Sequence, residues 1–271
     1  MIELLGFVLA GLIGLSLGLL GGGGSILMVP ALVYVLGFAA KPAIAVSLPV
    51  VGTASLMGAI GHWRAGNVRA RTALPFGITA MAAAFTGARL AGLLSGQTQL
   101  LIFAGVMLLA ALSMYRSSLA DAAAVPHDIG ARLFPLLASA AAVGMLTGIV
   151  GIGGGFLIVP ALVIFARIPI REAVGTSLLV IAMNSVAGFT GYLGQVTIDW
   201  GFVAGFTGMA ILGVVAGTRL LPMISPTQLK RAFAVVLVTV ALFILHQNRS
   251  VFRQDQGSTG GPHAAQAFLR P

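Results

Sequence analysis

Two stretches about 130 residues apart repeat one run of glycines inside long apolar sequence, and this limits the fold more than any other feature. The first reads Gly14, Gly18, Gly21, Gly22, Gly23, Gly24, Ser25, then Leu27, Val29, Pro30, Ala31, Leu32, Val33. The second reads Gly144, Gly148, Gly151, Ile152, Gly153, Gly154, Gly155, then Leu157, Val159, Pro160, Ala161, Leu162, Val163. The ungapped match runs on through Ser47-Leu48 and Ser177-Leu178 to Gly61 and Gly191. On the order of one position in three is identical over roughly fifty, so the chain is an internal duplication.

Charged residues make up 8% of the chain and apolar ones 58%, with mean hydropathy +1.05. A soluble domain carries about a quarter charged residues. So few charges cannot cover a soluble fold of this length, and the composition therefore predicts an all-α, polytopic integral membrane protein. Charge-poor runs of spanning length fall at 42–61, 72–94, 99–115, 173–193, 200–221 and 229–246. They are continuously apolar and not alternating, which excludes a β-barrel. The flank Met1-Ile2-Glu3 has no basic residues and no A-x-A site follows, so the first apolar run is not expected to be a signal peptide. No cysteine is present, which excludes disulfides, thiol catalysis and thiolate metal sites.

Two further apolar stretches, 2–37 and 133–166, are each cut by a glycine cluster. At 1.5 Å per residue the first would make about 54 Å of helix, too long for one crossing of a ~30 Å core. Cut at the glycines, each becomes a hairpin of two short or tilted helices whose turn lies within the membrane. Three spans follow each hairpin. The resulting organisation is repeat one at 1–115, a polar connector at 116–131, repeat two at 132–246 and a flexible tail at 247–271. An odd number of full crossings per repeat makes the halves inverted.

Basic residues agree with inversion slightly better than with a parallel arrangement of the halves. The loop after the first full span holds Arg64, Arg69 and Arg71, whereas its counterpart from Gly194 to Trp200 holds none and carries Asp199. With the first loop cytoplasmic, Arg116, Arg132, Arg167, Arg171, Lys230 and Arg231 fall on that side too, leaving Lys41 and the tail arginines outside. The net charge of +9 is thus read as membrane anchoring and not as nucleic-acid binding.

The duplicated G-x-x-x-G-x-x-G-x-G-G-G and V-P-A-L stretches resemble the TauE/SafE family of sulfite and organosulfonate exporters. The A-x-x-x-S-L segments at Ala43–Leu48 and Ala173–Leu178, and G-A-R-L and G-T-R-L at Gly87–Leu90 and Gly217–Leu220, extend the likeness over most of the chain. Repeat one departs from the usual glycine spacing with its unbroken Gly21–Gly24 run and Ser25. The resemblance implies a multi-pass carrier in a bacterial inner membrane that exports sulfite, sulfoacetate or a related sulfonate.

The residues suggest how such an anion would be held. Gly14, Gly18, Gly58, Gly61, Gly188 and Gly191 have the three- and four-residue spacing of helix packing. The adjacent glycines favour a helix break, which exposes the next half-helix's first N–H groups and the positive end of its dipole. Half-helices beginning near Ser25 and Gly155 would then meet in the interior as an anion site. The candidate substrate-binding set is Gly22, Gly23, Gly24, Ser25, Ser47, Gly153, Gly154, Gly155, Ser177, Asn184, Arg89 and Arg219, with Ser55, Ser185 and Thr53 as further donors. The hydroxyls have a second use, back-bonding to their own helix carbonyls. Arg89 and Arg219 equally suit the membrane interface. His62, beside Trp63 and Arg64 at a helix end, is expected at the interface in preference to a role in proton transfer.

No cofactor and no metal site is expected. All six acidic residues (Glu3, Asp121, Asp128, Glu172, Asp199 and Asp255) fall at ends or in loops. No Cys, H-E-x-x-H or phosphate-binding loop motif supports an enzyme. The partners are the anion and membrane lipid, and the small-residue helix faces suit a homodimer. An anion channel, or a carrier for another oxyanion or carboxylate, would use the same glycine turns.

Overall fold

The computed structural model describes residues 2–91, 102, 104–112, 133–150, 155–192 and 199–247. All regular structure among them is helical. The elements are α1 (Ile2–Leu20), α2 (Gly22–Ser25), α3 (Met28–Pro30), a π-helical turn (Ala31–Val35), α4 (Ala40–Arg64) and α5 (Ala70–Ala91). There follow α6 (104–112), α7 (Leu133–Val150), α8 (Gly155–Ile164), α9 (Ile170–Tyr192), α10 (Trp200–Leu220), a 3-10 turn (Leu221–Met223) and α11 (Pro226–Gln247). The connector expected at 116–131 and the tail beyond Gln247 lie outside the described residues.

Among the described residues, four helices are long and apolar enough to cross a membrane: Ala45–Arg64, Ile170–Ala187, Trp200–Met223 and Pro226–His246. At 22 residues, α5 also has the length, about 33 Å. The apolar arms beside the glycine clusters are shorter: Leu5–Leu20, Gly22–Val35, Phe134–Thr147 and Gly155–Ile164. At 1.5 Å per residue the returning arms reach only about 15–21 Å, under the ~30 Å core, while the full helices α1 (19 residues) and α7 (18 residues) come close to it at about 27–29 Å. The first glycine cluster thus parts its apolar stretch into two arms ahead of a spanning helix, whereas the residues joining α7 to α8 lie outside the described residues.

The first hairpin corrects one expectation. Its returning arm does not begin near Ser25 as a straight half-helix. It starts at Gly22, makes one turn, loosens at Ile26–Leu27 and continues as α3 and the π turn, where the Leu36 amide bonds the Ala31 carbonyl at 3.2 Å. Three glycines in its first turn supply no side-chain packing and little helix propensity, and Pro30 removes an amide from the ladder. In α8 the matching Pro160 is accommodated without a break, because Phe156, Leu157 and Ile158 pack that first turn into the core.

Packing joins the two halves. α1 lies along α10, α7 along α5, and α4 crosses α9. The first two contacts use corresponding residues. A Cβ at Gly14 would strike the Ala210 carbonyl, and one at Gly144 the Ala80 carbonyl. Gly217 abuts the Leu15 carbonyl, and Gly87 the Met145 carbonyl. These backbones touch because no side chain intervenes, which is how small residues hold membrane helices together. Large apolar side chains such as Leu12, Ile78, Phe85, Leu212, Val235 and Leu242 remain exposed, as a lipid-facing surface requires.

The connecting segments gather into two groups. Arg69 after α4 pairs with Glu172 of α9, and Arg171 donates to the carbonyls of Pro222 (3.3 Å) and Ile224 (2.8 Å) between α10 and α11. Phe38 before α4 instead stacks on Phe202 at the start of α10, with ring centroids 5.3 Å apart, beside Phe7.

Asp199 caps α10, its Oδ1 accepting from the amides of Gly201 (2.9 Å) and Phe202 (3.1 Å). Replacing it with alanine leaves both amides without that acceptor and is expected to cost about 1 kcal/mol, checked by thermal unfolding in detergent.

Candidate functional site

The break in the first hairpin occurs at Gly21, with φ 61° and ψ −125°. This left-handed conformation suits glycine. A Cβ there would also strike Ser177 Oγ and lie 3.1 Å from the Val174 carbonyl oxygen of α9. The chain then folds back so that Gly24 presses on the backbone of Leu17, and a Cβ at Gly23 would lie 3.0 Å from the Phe233 ring of α11.

The two glycine clusters meet. The space a Cβ would need at Gly22 is filled by the Gly155 carbonyl, while at Gly155 it would lie 2.9 Å from Ser25 Oγ and from Ile181. Gly155 opens α8, whose first eight residues are all buried. The first amides of such a helix have no acceptor within it and carry the positive end of its dipole. Gly153 and Gly154, immediately before, lie outside the described residues.

The hydroxyls divide. Ser25 donates to the Gly22 carbonyl at 2.7 Å and Ser177 to the Val174 carbonyl at 2.8 Å, so both back-bond within their own helices while sitting against the opposing tip. Ser47 is buried. Where α4 crosses α9, Gly52 lies against Ser185, and Ser55 Oγ and Asn184 Oδ1 are buried without a protein partner. An unsatisfied buried polar atom costs about 1–3 kcal/mol. Thr53 is exposed on α4, and Arg219 is exposed in the last turn of α10. Arg89 is on α5, with its side chain outside the described residues. Among the described residues the tips thus meet through backbone and small hydroxyls, with Phe233, Ile181 and Leu17 packed around them.

His62 overturns its expected interfacial place. It is 0% exposed, and its Nε2 donates to the Gly18 carbonyl at 3.1 Å. The segment after α4 folds over it: the Asn67 amide bonds the His62 carbonyl at 2.8 Å, and the Arg69 amide bonds Thr176 Oγ1 at 3.0 Å. Only Trp63 and Arg64 reach the surface as expected. Gly175 is the small residue of α9 that lets His62 and the Asn67 carbonyl come this close, since a Cβ there would lie 2.8 Å from His62 Cβ.

The family model described as Sulfite exporter TauE/SafE matches residues 6–244, which includes both hairpins and every helix between them. The chain belongs to that family. A probable membrane transporter protein of Xylella fastidiosa (strain 9a5c) is 36% identical over 241 residues, covering 87% of this chain and 92% of the relative. The probable membrane transporter YdhB of Bacillus subtilis is 27% identical, covering 86% and 96% of the two chains. The probable membrane transporter MJ0441 of Methanocaldococcus jannaschii is also 27% identical, covering 86% and 93%. No solved structure matches the chain. As a TauE/SafE member with several apolar helices, the protein is a multi-pass membrane transporter.

Proposed function

We propose that this transporter exports a small sulfonate or sulfite anion by alternating access between two inverted halves, with the anion held where the hairpin tips meet. The observation that carries the reading is the contact of Gly22 and Ser25 with Gly155 at the start of α8. It brings a left-handed break and a helix N-terminus together without bulky side chains between them. Backbone N–H groups at such a place bind oxyanions without burying a permanent positive charge.

Inversion is supported by the two groups of connecting segments. The segments after α4, before α9 and after α10 are tied through Arg69, Glu172 and Arg171. Those before α4 and before α10 meet at Phe38 and Phe202. Equivalent segments of the two halves thereby fall in opposite groups. The matched glycine contacts of α1 with α10 and α7 with α5 support the reading, since halves related by a two-fold axis would make such pairs, an arrangement of many secondary transporters. An inside-negative potential favours anion exit by ~2.3 kcal/mol per charge per 100 mV.

Thermal unfolding of the detergent-solubilised protein against sulfite, sulfoacetate, taurine, sulfate and short carboxylates tests the substrate class. A sulfonate or sulfite at about a hundred times its Kd is expected to stabilise by roughly 2.7 kcal/mol. Equal responses to acetate, or none to any anion, would remove the sulfonate assignment.

A further inference from the structure

Among the described residues, His62 is the one titratable side chain in the buried set. The Gly18 carbonyl can only accept, so the neutral ring carries its hydrogen on Nε2 and offers a lone pair at Nδ1. Nδ1 is buried and has no partner. A second orphan lies in the same junction. Thr218 Oγ1 of α10 is also buried and unpartnered; the Thr218 side chain packs on Gly61, next to His62, and its backbone nitrogen faces Gly18. From α9, a Cβ at Gly175 would lie 2.8 Å from His62 Cβ. His62 therefore sits where α4 meets α1, α9 and α10, with its ring bonded to α1. An apolar side chain would fill this place without leaving an acceptor unmatched.

The position is close to the hairpin tip. Along α1, Gly18 is one turn before the break at Gly21. Along α9, Gly175 is two residues before Ser177, which abuts Gly21. We infer that His62 is a proton-binding site that couples anion movement to pH, an inference that rests on the anion-carrier reading. A proton from the aqueous phase adds to Nδ1, forming only an N–H bond, and returns to water when the carrier resets. Both ring nitrogens then donate, and the Thr218 hydroxyl is an acceptor in the same junction.

Among the described residues no unpaired carboxylate lies on the parts of the helices packed around the ring. α1 carries no charged residue from Leu5 to Leu20. On α9, Glu172 is paired with Arg69 of the covering segment, and Arg171 is engaged with the Pro222 and Ile224 carbonyls. Arg64 on α4 and Arg219 on α10 are exposed. The travelling anion is left as the charge that balances the protonated ring.

Methanesulfonate is a suitable probe because it stays ionised throughout the range tested. Its flux into vesicles holding the purified full chain is measured from about pH 5.5 to 8, where histidine ordinarily titrates. In parallel, 15N-histidine NMR of the solubilised protein follows the ring, assigned by comparison with His62→Gln. The expected result is a flux change of about fivefold or more, with a midpoint matching the ring's titration, and a flat profile in His62→Gln. A pH profile that persists in His62→Gln, or a ring that does not titrate, overturns the proton site. Absence of methanesulfonate flux alongside a titrating ring counts against the substrate class and supports the proton site. Should His62→Gln fail to accumulate, Thr218→Val serves: a shifted midpoint is expected, and an unchanged one contradicts the account.

Discussion

Gly22→Ala lowers sulfonate flux by roughly tenfold or more, because the added methyl occupies the place of the Gly155 carbonyl. Gly22 has no left-handed backbone requirement, so the substitution tests contact and not conformational strain. The opposing atom belongs to backbone, so relief requires the two tips to part. Overpacking of this kind costs about 1–3 kcal/mol, and each 1.4 kcal/mol is about tenfold in a rate or population. Gly23→Ala is the comparison. Its methyl would meet the edge of the Phe233 ring at 3.0 Å, a side chain that can turn away, so its effect should be smaller. Radiolabelled sulfonate uptake into vesicles of the two variants reads the difference. Equal fluxes in Gly22→Ala and the unaltered protein would mean that tip contact plays no part in transport.

Gly14→Leu and Gly144→Leu are expected to destabilise the helix bundle by similar amounts, about 3 kcal/mol or more. Each forces a side chain into a backbone-to-backbone contact, at Ala210 in one half and Ala80 in the other. The corresponding positions make the comparison informative. If the halves pack as equivalents, the two variants lose comparable thermal stability; a loss at only one of them contradicts equivalence. Gly208→Ala is the control. Nothing lies within 4 Å of a Cβ there, and alanine in a helix is favoured over glycine by roughly 0.5–1 kcal/mol. That variant should be unaffected or slightly more stable.

Much of this architecture could be read from the chain itself, because glycine runs and charge-poor lengths act locally. The break at Gly21 follows from adjacent residues that cannot sustain a helix, and the lengths of α4, α9, α10 and α11 follow from where charges stop and start. The partners of those helices were not legible. That Gly14 seats on Ala210 and Gly144 on Ala80 depends on which small-residue faces meet, and spacing alone does not name the partner. Pro30 and Pro160 look equivalent in sequence, yet one lies next to a π turn and the other inside a regular helix, because the glycines before Pro30 leave its first turn unpacked. His62 was misplaced for a related reason. Its neighbours Trp63 and Arg64 signal an interface, but its burial is set by a covering segment held by Thr176 and Glu172, over 100 residues away.

On the proposed reading the anion would be held chiefly by backbone amides, so few side-chain motifs for it are needed; Arg219, a charged residue at a corresponding position of the repeat, is exposed. The same reading explains why the glycines carry the family likeness: a Cβ at Gly22 or Gly155 would occupy the place where the tips touch.

The absence of native cysteine allows a direct measurement. A single cysteine at Ser25, buried between Gly22 and Gly155, can be probed with a membrane-impermeant, negatively charged thiosulfonate reagent added to either side of sealed vesicles. The account predicts labelling from both sides in turn, as the tips open alternately, and slower labelling when sulfite or a sulfonate is present. A cysteine that never reacts, or one that reacts at the same rate with and without the anion, would contradict an anion site at the meeting of the two broken helices.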